Sequence, residues 1–166
     1  SRRQRQMCIR DSFPSWLYQV KKGATTIWEH WDGMKDDGSM WSADMNSFNH
    51  YAYGAIGEWM YRAMAGIEAD PEHPGFKHAI LYPRIGGNLK YTAGKYHSIY
   101  GDVGVKWEVQ GKQITLTVQI PVNTTAEIRL DKAKAVLESD GLTFTREADY
   151  MAAEAGSGTY HIAFEQ

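Results

Sequence analysis

Between Gly23 and Gly54 the chain sets one carboxylate, Glu29, among Trp28, Trp31 and Trp41, with one imidazole, His50, further on. Aromatic faces pack on the C–H surfaces of a sugar ring while polar side chains take its hydroxyls, so this mixture suits a carbohydrate. Hydrolysis of a glycosidic bond needs two carboxyl groups flanking that bond. Glu29 stands where an extended segment runs into a loop and is a candidate for one of them. The plain alternative is a solvent-facing glutamate at a loop start, since Glu is seldom buried. For His50 the plain alternative is a histidine on a helix face, bonded locally.

Other chemistries fit less well. His30 and His50 with Asp32 or Asp44 are metal-ligand types, but their spacing matches no zinc signature, and no metal or other cofactor is expected. There is no Gly-x-Ser-x-Gly elbow for a nucleophilic serine. Gly86-Gly87 before Asn88 reads as a turn between strands rather than a phosphate cradle.

The elements that must position these residues come in two textures. From Phe13 to Gly66 the signals are helical. A short helix begins near Pro14, which suits a first helical position, and presents Trp16, Leu17 and Val20 on one apolar face before Gly23 ends it. Thr25-Thr26-Ile27-Trp28 is β-branched and aromatic, hence extended. A Gly- and Asp-rich loop carrying Met40 and Trp41 follows. The period-3.6 pattern of Phe48, Ala52, Ala55, Ile56, Trp59, Met60, Ala63 and Ile67 then predicts a helix from about Ser47 to Ala65, capped by Asn46 or Ser47, with Gly66 at its end. That reading puts His50 in the helix's first turn, and it puts Gly54 and Gly57 where a neighbouring helix comes close.

After Pro74 the pattern changes to period two. His78–Pro83, Lys90–Ser98, Gly104–Gln110, Gln113–Ile120 and Thr125–Leu130 read as strands, as does the stretch after Gly158, with Ala133–Leu137 a weaker one. Ile114, Leu116, Val118 and Ile120 share one face, and Gly111-Lys112 forms the turn before them. Six to eight short antiparallel strands argue for a β-sandwich.

Bulk composition narrows the partners. The chain has 166 residues, 43% hydrophobic, with 18 basic and 20 acidic side chains. A net charge of −2 gives no electrostatic footprint for nucleic acid or an anionic membrane, and no apolar run is long enough to span a bilayer. The single cysteine, Cys8, cannot form an internal disulfide, so the sequence names no compartment. The opening Ser1–Ser12 holds four arginines and no signal-peptide core. It reads as a translated sequencing-adapter stretch at the edge of a gene fragment, not as native chain.

Several motifs together resemble the bacterial α-L-rhamnosidase family of inverting glycoside hydrolases. They are Phe13-Pro-Ser-Trp16, Lys22-Gly-Ala-Thr-Thr-Ile-Trp-Glu29, Trp31-Asp-Gly33, Met45-Asn-Ser-Phe-Asn-His-Tyr-Ala-Tyr-Gly54, His78 to Pro83 and Gly156-Ser-Gly-Thr-Tyr160. The resemblance implies an α+β chain: the last helices of an (α/α)6 barrel over residues 13–74, then a C-terminal antiparallel β-sandwich over 75–166. It implies a rhamnose-containing glycoside or polysaccharide as substrate, hydrolysed with inversion. Glu29 then matches the general base, and His50, Asn49 and Trp31 match sugar-binding positions. The loop from Met34 to Asp44 is longer than the family's usual one. The family's general acid belongs to an upstream acidic motif, so this segment alone is expected to be inactive. A second reading, from another class, is a non-catalytic carbohydrate-binding sandwich displaying Tyr91, Tyr96, Tyr100 and Trp107; a third is a related barrel enzyme acting on another sugar.

Overall fold

Ser15 opens the first helix, α1 (Trp16–Lys21), by accepting the Tyr18 N–H on its hydroxyl at 3.1 Å. This is a computed structural model describing residues 15–166, so the Ser1–Ser12 stretch, Cys8 and Pro14 lie outside the described residues. The far end of α1 closes as a Schellman turn: Gly23 N–H reaches Val20 O at 3.0 Å, Ala24 N–H reaches Gln19 O at 3.0 Å, and Gly23 takes φ +84°. The expected apolar face is not the buried one. Val20 is 63% exposed, while Tyr18 and Gln19 are buried. Polar anchoring decides this. Tyr18 Oη donates to Met34 O at 2.7 Å, and Gln19 Oε1 accepts the Trp28 N–H at 3.3 Å.

The chain divides into two compact units, one ending at Glu58 and one running from Trp59 to Gln166. The long helix expected from Ser47 starts later and is irregular. Tyr51–Ala55 form a 3-10 turn and α2 covers only Ile56–Trp59; wider π turns follow over Met60–Ala65. Ser47 to His50 are non-helical, with bends at Phe48 and Asn49, because the Ser47 carbonyl and the His50 N–H bond to residues 27–29 instead of to a helix. His50 is therefore the residue before the first turn, and its side chain makes no cap hydrogen bond. A Cβ added at Gly57 would meet nothing within 4 Å, and one at Gly54 would meet only Ile27 Cδ1 at 3.8 Å. Among the described residues, no helix presses on either glycine. No helix of the described residues is long and apolar enough to cross a membrane.

The second unit is a sandwich of two five-stranded sheets. Its strands are β1 (Ile67–Ala69), β2 (His78–Leu81), β3 (Tyr91–Ser98), β4 (Gly101–Gln110), β5 (Gln113–Ile120), β6 (Thr125–Asp131), β7 (Ala135–Glu138), β8 (Thr145–Arg146), β9 (Tyr150–Ala155) and β10 (Gly158–Glu165). One sheet has the order β1-β2-β6-β9-β8 and the other β3-β4-β5-β10-β7. Pairing is antiparallel except between β2 and β6, which run parallel with His78 opposite Thr125. β1, β8 and β9 go beyond the expected set, and β1 falls in the stretch read as following the helix.

Alternation builds the core. Ile114, Leu116, Val118 and Ile120 of β5 all point inward, as their spacing predicts, and meet Val105, Trp107, Ile128, Leu130 and Phe164. Burying each aliphatic side chain contributes roughly 1.5–3 kcal/mol. Gly66 (φ +77°) ends the π turns as expected, and Tyr82 N–H bonds to its carbonyl at 2.7 Å.

Candidate active site

Two irregular segments of the first unit lie side by side; Thr25 and Thr26, expected to be extended, form a bend instead of a strand. Ile27 O accepts the His50 N–H at 2.7 Å, and Glu29 N–H donates to Ser47 O at 2.8 Å. Ser47 N–H donates in return to Glu29 Oε2 at 3.1 Å. The Thr26 hydroxyl closes on Phe48 O. This pairing brings Glu29, Asn49 and His50 onto adjoining backbone, although they are far apart in sequence. Glu29 and His50 are half-buried and Asn49 is exposed. Asn49 N–H bonds Ser47 Oγ at 3.3 Å, and the His50 ring lies 6.4 Å from that of Tyr53.

The three tryptophans near Glu29 have separate surroundings. Trp28 is buried and meets Phe48 edge-on at 4.9 Å, so it packs the unit. Trp31 is half-buried and tilts against Trp16 at 5.9 Å, and its indole N–H is enclosed with no protein acceptor. Trp41 is exposed, with one side covered by the His30 ring at 4.2 Å.

The long loop is an ordered hairpin. Met34 pairs with Met40, Lys35 N–H reaches Ser39 O at 2.8 Å, and Trp41 N–H reaches Gly33 O at 3.1 Å. Ser39, through hydroxyl and N–H, holds the Asp37 carboxyl below its ordinary range. Burial, with Asp36 adjacent, pushes the Tyr18 phenol up. Asn46 Nδ2 ties the base of the loop to Gly33 O at 2.9 Å.

Sequence reasoning missed Gln19, which holds the backbone on either side of Glu29, and Ser47, which holds Glu29 itself. Gln19 had a signal, a polar residue one turn before the helix-ending glycine. Ser47 had none, since its backbone makes the contact. Among the described residues no three His, Cys, Asp or Glu side chains gather as a metal would require.

In the sandwich, the four aromatics read as a possible glycan face do not act together. Trp107 is 1% exposed and donates its indole N–H to Met64 O at 2.8 Å, so it belongs to the core. Tyr96 packs on Phe76 at 4.4 Å. Tyr91 and Tyr100 remain at the surface.

Two family models match the chain. The bacterial α-L-rhamnosidase 6-hairpin glycosidase domain matches residues 4–64, and the bacterial α-L-rhamnosidase C-terminal domain matches residues 66–144. The chain belongs to the bacterial α-L-rhamnosidase family. The first match begins inside the stretch read as an adapter. An α-L-rhamnosidase of Streptomyces avermitilis is 41% identical over 154 residues, which is 91% of this chain and 15% of that protein. One from Formosa agariphila is 38% identical over 141 residues, 84% of this chain and 15% of the relative. The crystal structure of the Streptomyces avermitilis enzyme complexed with L-rhamnose is similar to 96% of this chain at a TM-score of 0.83 and 37% identity, and the chain covers 16% of it. The chain therefore spans about 15% of the length of these curated relatives. The matches support the two-part reading of the fold, a short helical part followed by a sandwich.

Proposed function

We propose that residues 23–54 supply the water-activating half of an inverting α-L-rhamnosidase site, within a protein that removes terminal α-L-rhamnose from glycosides or polysaccharides. Glu29 takes a proton from water. The water oxygen bonds to the anomeric carbon as the glycosidic C–O bond breaks on the opposite face. A second carboxyl group gives its proton to the departing oxygen. Inversion needs the two carboxyls about 6.5–9.5 Å apart, leaving room for the water. On the family resemblance that acid lies upstream of Phe13. His50 and Asn49 take sugar hydroxyls, and Trp31 lies against the ring's apolar side.

The observation that carries this reading is the likeness to a rhamnosidase holding L-rhamnose, joined to a glutamate whose carboxylate is oriented by a backbone donor. A general base needs such orientation, because proton transfer depends on hydrogen-bond reach. The test is a chimera in which residues 15–166 replace the matching segment of the Streptomyces avermitilis enzyme. Glu29→Gln in the chimera should lower kcat on rhamnosides by about 10²–10⁴, with KM little changed. His50→Ala should act mainly on KM. Glu29→Gln with near-unaltered kcat would refute the assignment, and a chimera preferring another sugar would favour a related barrel glycosidase.

A further inference from the structure

The outer face of the second sheet carries a hollow that the catalytic reading does not use. One row of residues crosses four strands: Lys95 of β3 opposite Gly104 of β4, Gly104 opposite Gln119 of β5, and Gln119 opposite Thr159 of β10. Val103 and Val105 point into the core, so by the alternation of a strand Gly104 faces outward with Asp102 and Lys106 beside it. A glycine at the centre of such a row removes one side chain from the face. The gap left is bounded by Lys95 and Gln119 across the strands and by Asp102 and Lys106 along β4.

Close packing against Gln119 Cβ accounts for this glycine only in part. A glycine inside a strand marks a bulge, a bend or a close approach of backbone or ligand. At Gly94 the cause is visible, since a Cβ there would stand 2.6 Å from Ala65 Cβ. At Gly104 an added Cβ would meet only the Gln119 side chain, at 3.3 Å, and the β3–β4 register runs through it unbroken. The surface there forms two adjoining hollows of about 320 and 590 Å³ that share Gln119 and Thr159. Tyr100 stands on the rim of the larger, with Lys77 Nζ 5.2 Å from its ring.

The polar groups supply both donors and acceptors. Lys95 Nζ lies 3.0 Å from Asp102 Oδ2, and His97 bonds the other carboxylate oxygen. The Lys95 hydrogen bond, then that of His97, holds the Asp102 carboxyl below its ordinary range. A carboxylate held by the Lys95 ammonium and the His97 ring, with an amide across a shallow gap, matches the vicinal hydroxyls of a sugar, which donate and accept at neighbouring oxygens. An aromatic rim adds a face for ring C–H groups. Asp102 offsets Lys95, and Lys106 is turned toward the Tyr91 ring at 5.8 Å, so the match is to a neutral sugar.

We infer that the trough floored by Gly104 is a second binding site, for a neutral oligosaccharide, separate from the Glu29 region. The inference rests on the carbohydrate reading of the protein but not on any role of Glu29. It is tested by titrating the isotope-labelled 166-residue chain with short neutral rhamnose-containing oligosaccharides, and with L-rhamnose alone, while following backbone amide shifts. Shifts at Lys95, Gly104 and Gln119 are expected with the oligosaccharides. Gly104→Val fills the gap with a β-branched side chain that must push Gln119 aside by a few tenths of an ångström, so it should still fold with a cooperative melt yet bind about tenfold more weakly or worse. Gln119→Ala, at an exposed position, should weaken binding without altering the melt. Shifts confined to residues 27–50, no shifts in either region, or undiminished binding by Gly104→Val would each overturn the trough. The first of these would leave the proposed active site standing.

Discussion

Ser47 and Glu29 hold each other twice, the Ser47 N–H on Glu29 Oε2 at 3.1 Å and the Glu29 N–H on Ser47 O at 2.8 Å. One contact fixes where the glutamate's backbone lies and the other fixes which way its carboxylate turns. The second depends on a backbone donor, which tolerates any residue at position 47 except proline. The orientation of the carboxylate is thus a property of the chain path between residues 45 and 50.

That distinction gives a first prediction. In the chimera described above, Ser47→Ala keeps the backbone donor and should leave kcat near the parent value. Ser47→Pro removes it and should lower kcat by about a hundredfold, the scale associated with an ångström of misplacement at a reacting group. Steady-state kinetics with a chromogenic rhamnoside measures both. Equal effects from the two substitutions would show that the hydroxyl, not the N–H, matters.

A second prediction compares two glycines with nearly the same backbone. Gly23 has φ +84° and Gly66 φ +77°. A Cβ at Gly23 would meet nothing within 4 Å, whereas one at Gly66 would collide with Pro83 N and Tyr82 C. Gly23→Ala should therefore cost roughly 1–2 kcal/mol, the left-handed penalty alone. Gly66→Ala should cost more than about 3 kcal/mol, because backbone must move as well. Urea melts of the 166-residue chain followed by tryptophan fluorescence would rank them.

How far the sequence could be read depended on whether local pattern and tertiary pairing agreed. They agreed on β5, where period two put four aliphatics inward, and at Gly23 and Gly66, where helices end in left-handed glycines. They disagreed at Ser47–His50. The apolar period there is helical, but hydrogen bonds to residues 27–29 take the same backbone groups and win. They disagreed again at Tyr150–Ala155. Met, Ala and Glu favour a helix, yet the segment pairs along β6 from Ala155 opposite Ala126 to Tyr150 opposite Asp131. The residues of the candidate site were legible as motifs. Their supports, Gln19 and Ser47, act through single hydrogen bonds that no periodicity announces.

A third prediction concerns the sandwich core. Trp107 fills space between the sheets and also satisfies the Met64 carbonyl through its indole N–H at 2.8 Å. Trp107→Phe keeps an aromatic ring but leaves that carbonyl unpaired and a void beside it. The expected loss is about 2–4 kcal/mol, from cavity and unsatisfied acceptor together. Trp107→Leu should cost more, since it leaves a larger void. A loss below about 0.5 kcal/mol for Trp107→Phe would mean that water replaces the indole at no penalty.

The last prediction follows from Asp102. Lys95, then His97, favours its ionised form, so its folded-state pKa lies below its unfolded value. A depressed carboxyl contributes stability that is fully present above the unfolded pKa, near 3.9, and is lost as pH falls through the lower folded value. Asp70 adds to the same trend, its carboxyl held low first by the hydrogen bond from His73. The sandwich should therefore melt at a nearly constant temperature above about pH 5 and at falling temperatures below about pH 4. Asp102→Asn cannot lose a proton it never holds. It should melt lower than wild type at pH 7, and the two melting temperatures should converge as pH falls below about 4. Scanning calorimetry from pH 7 down to about pH 2.5 follows both proteins across that window. A gap between them that stayed constant over the whole range would show that Asp102 acts through packing rather than through its charge.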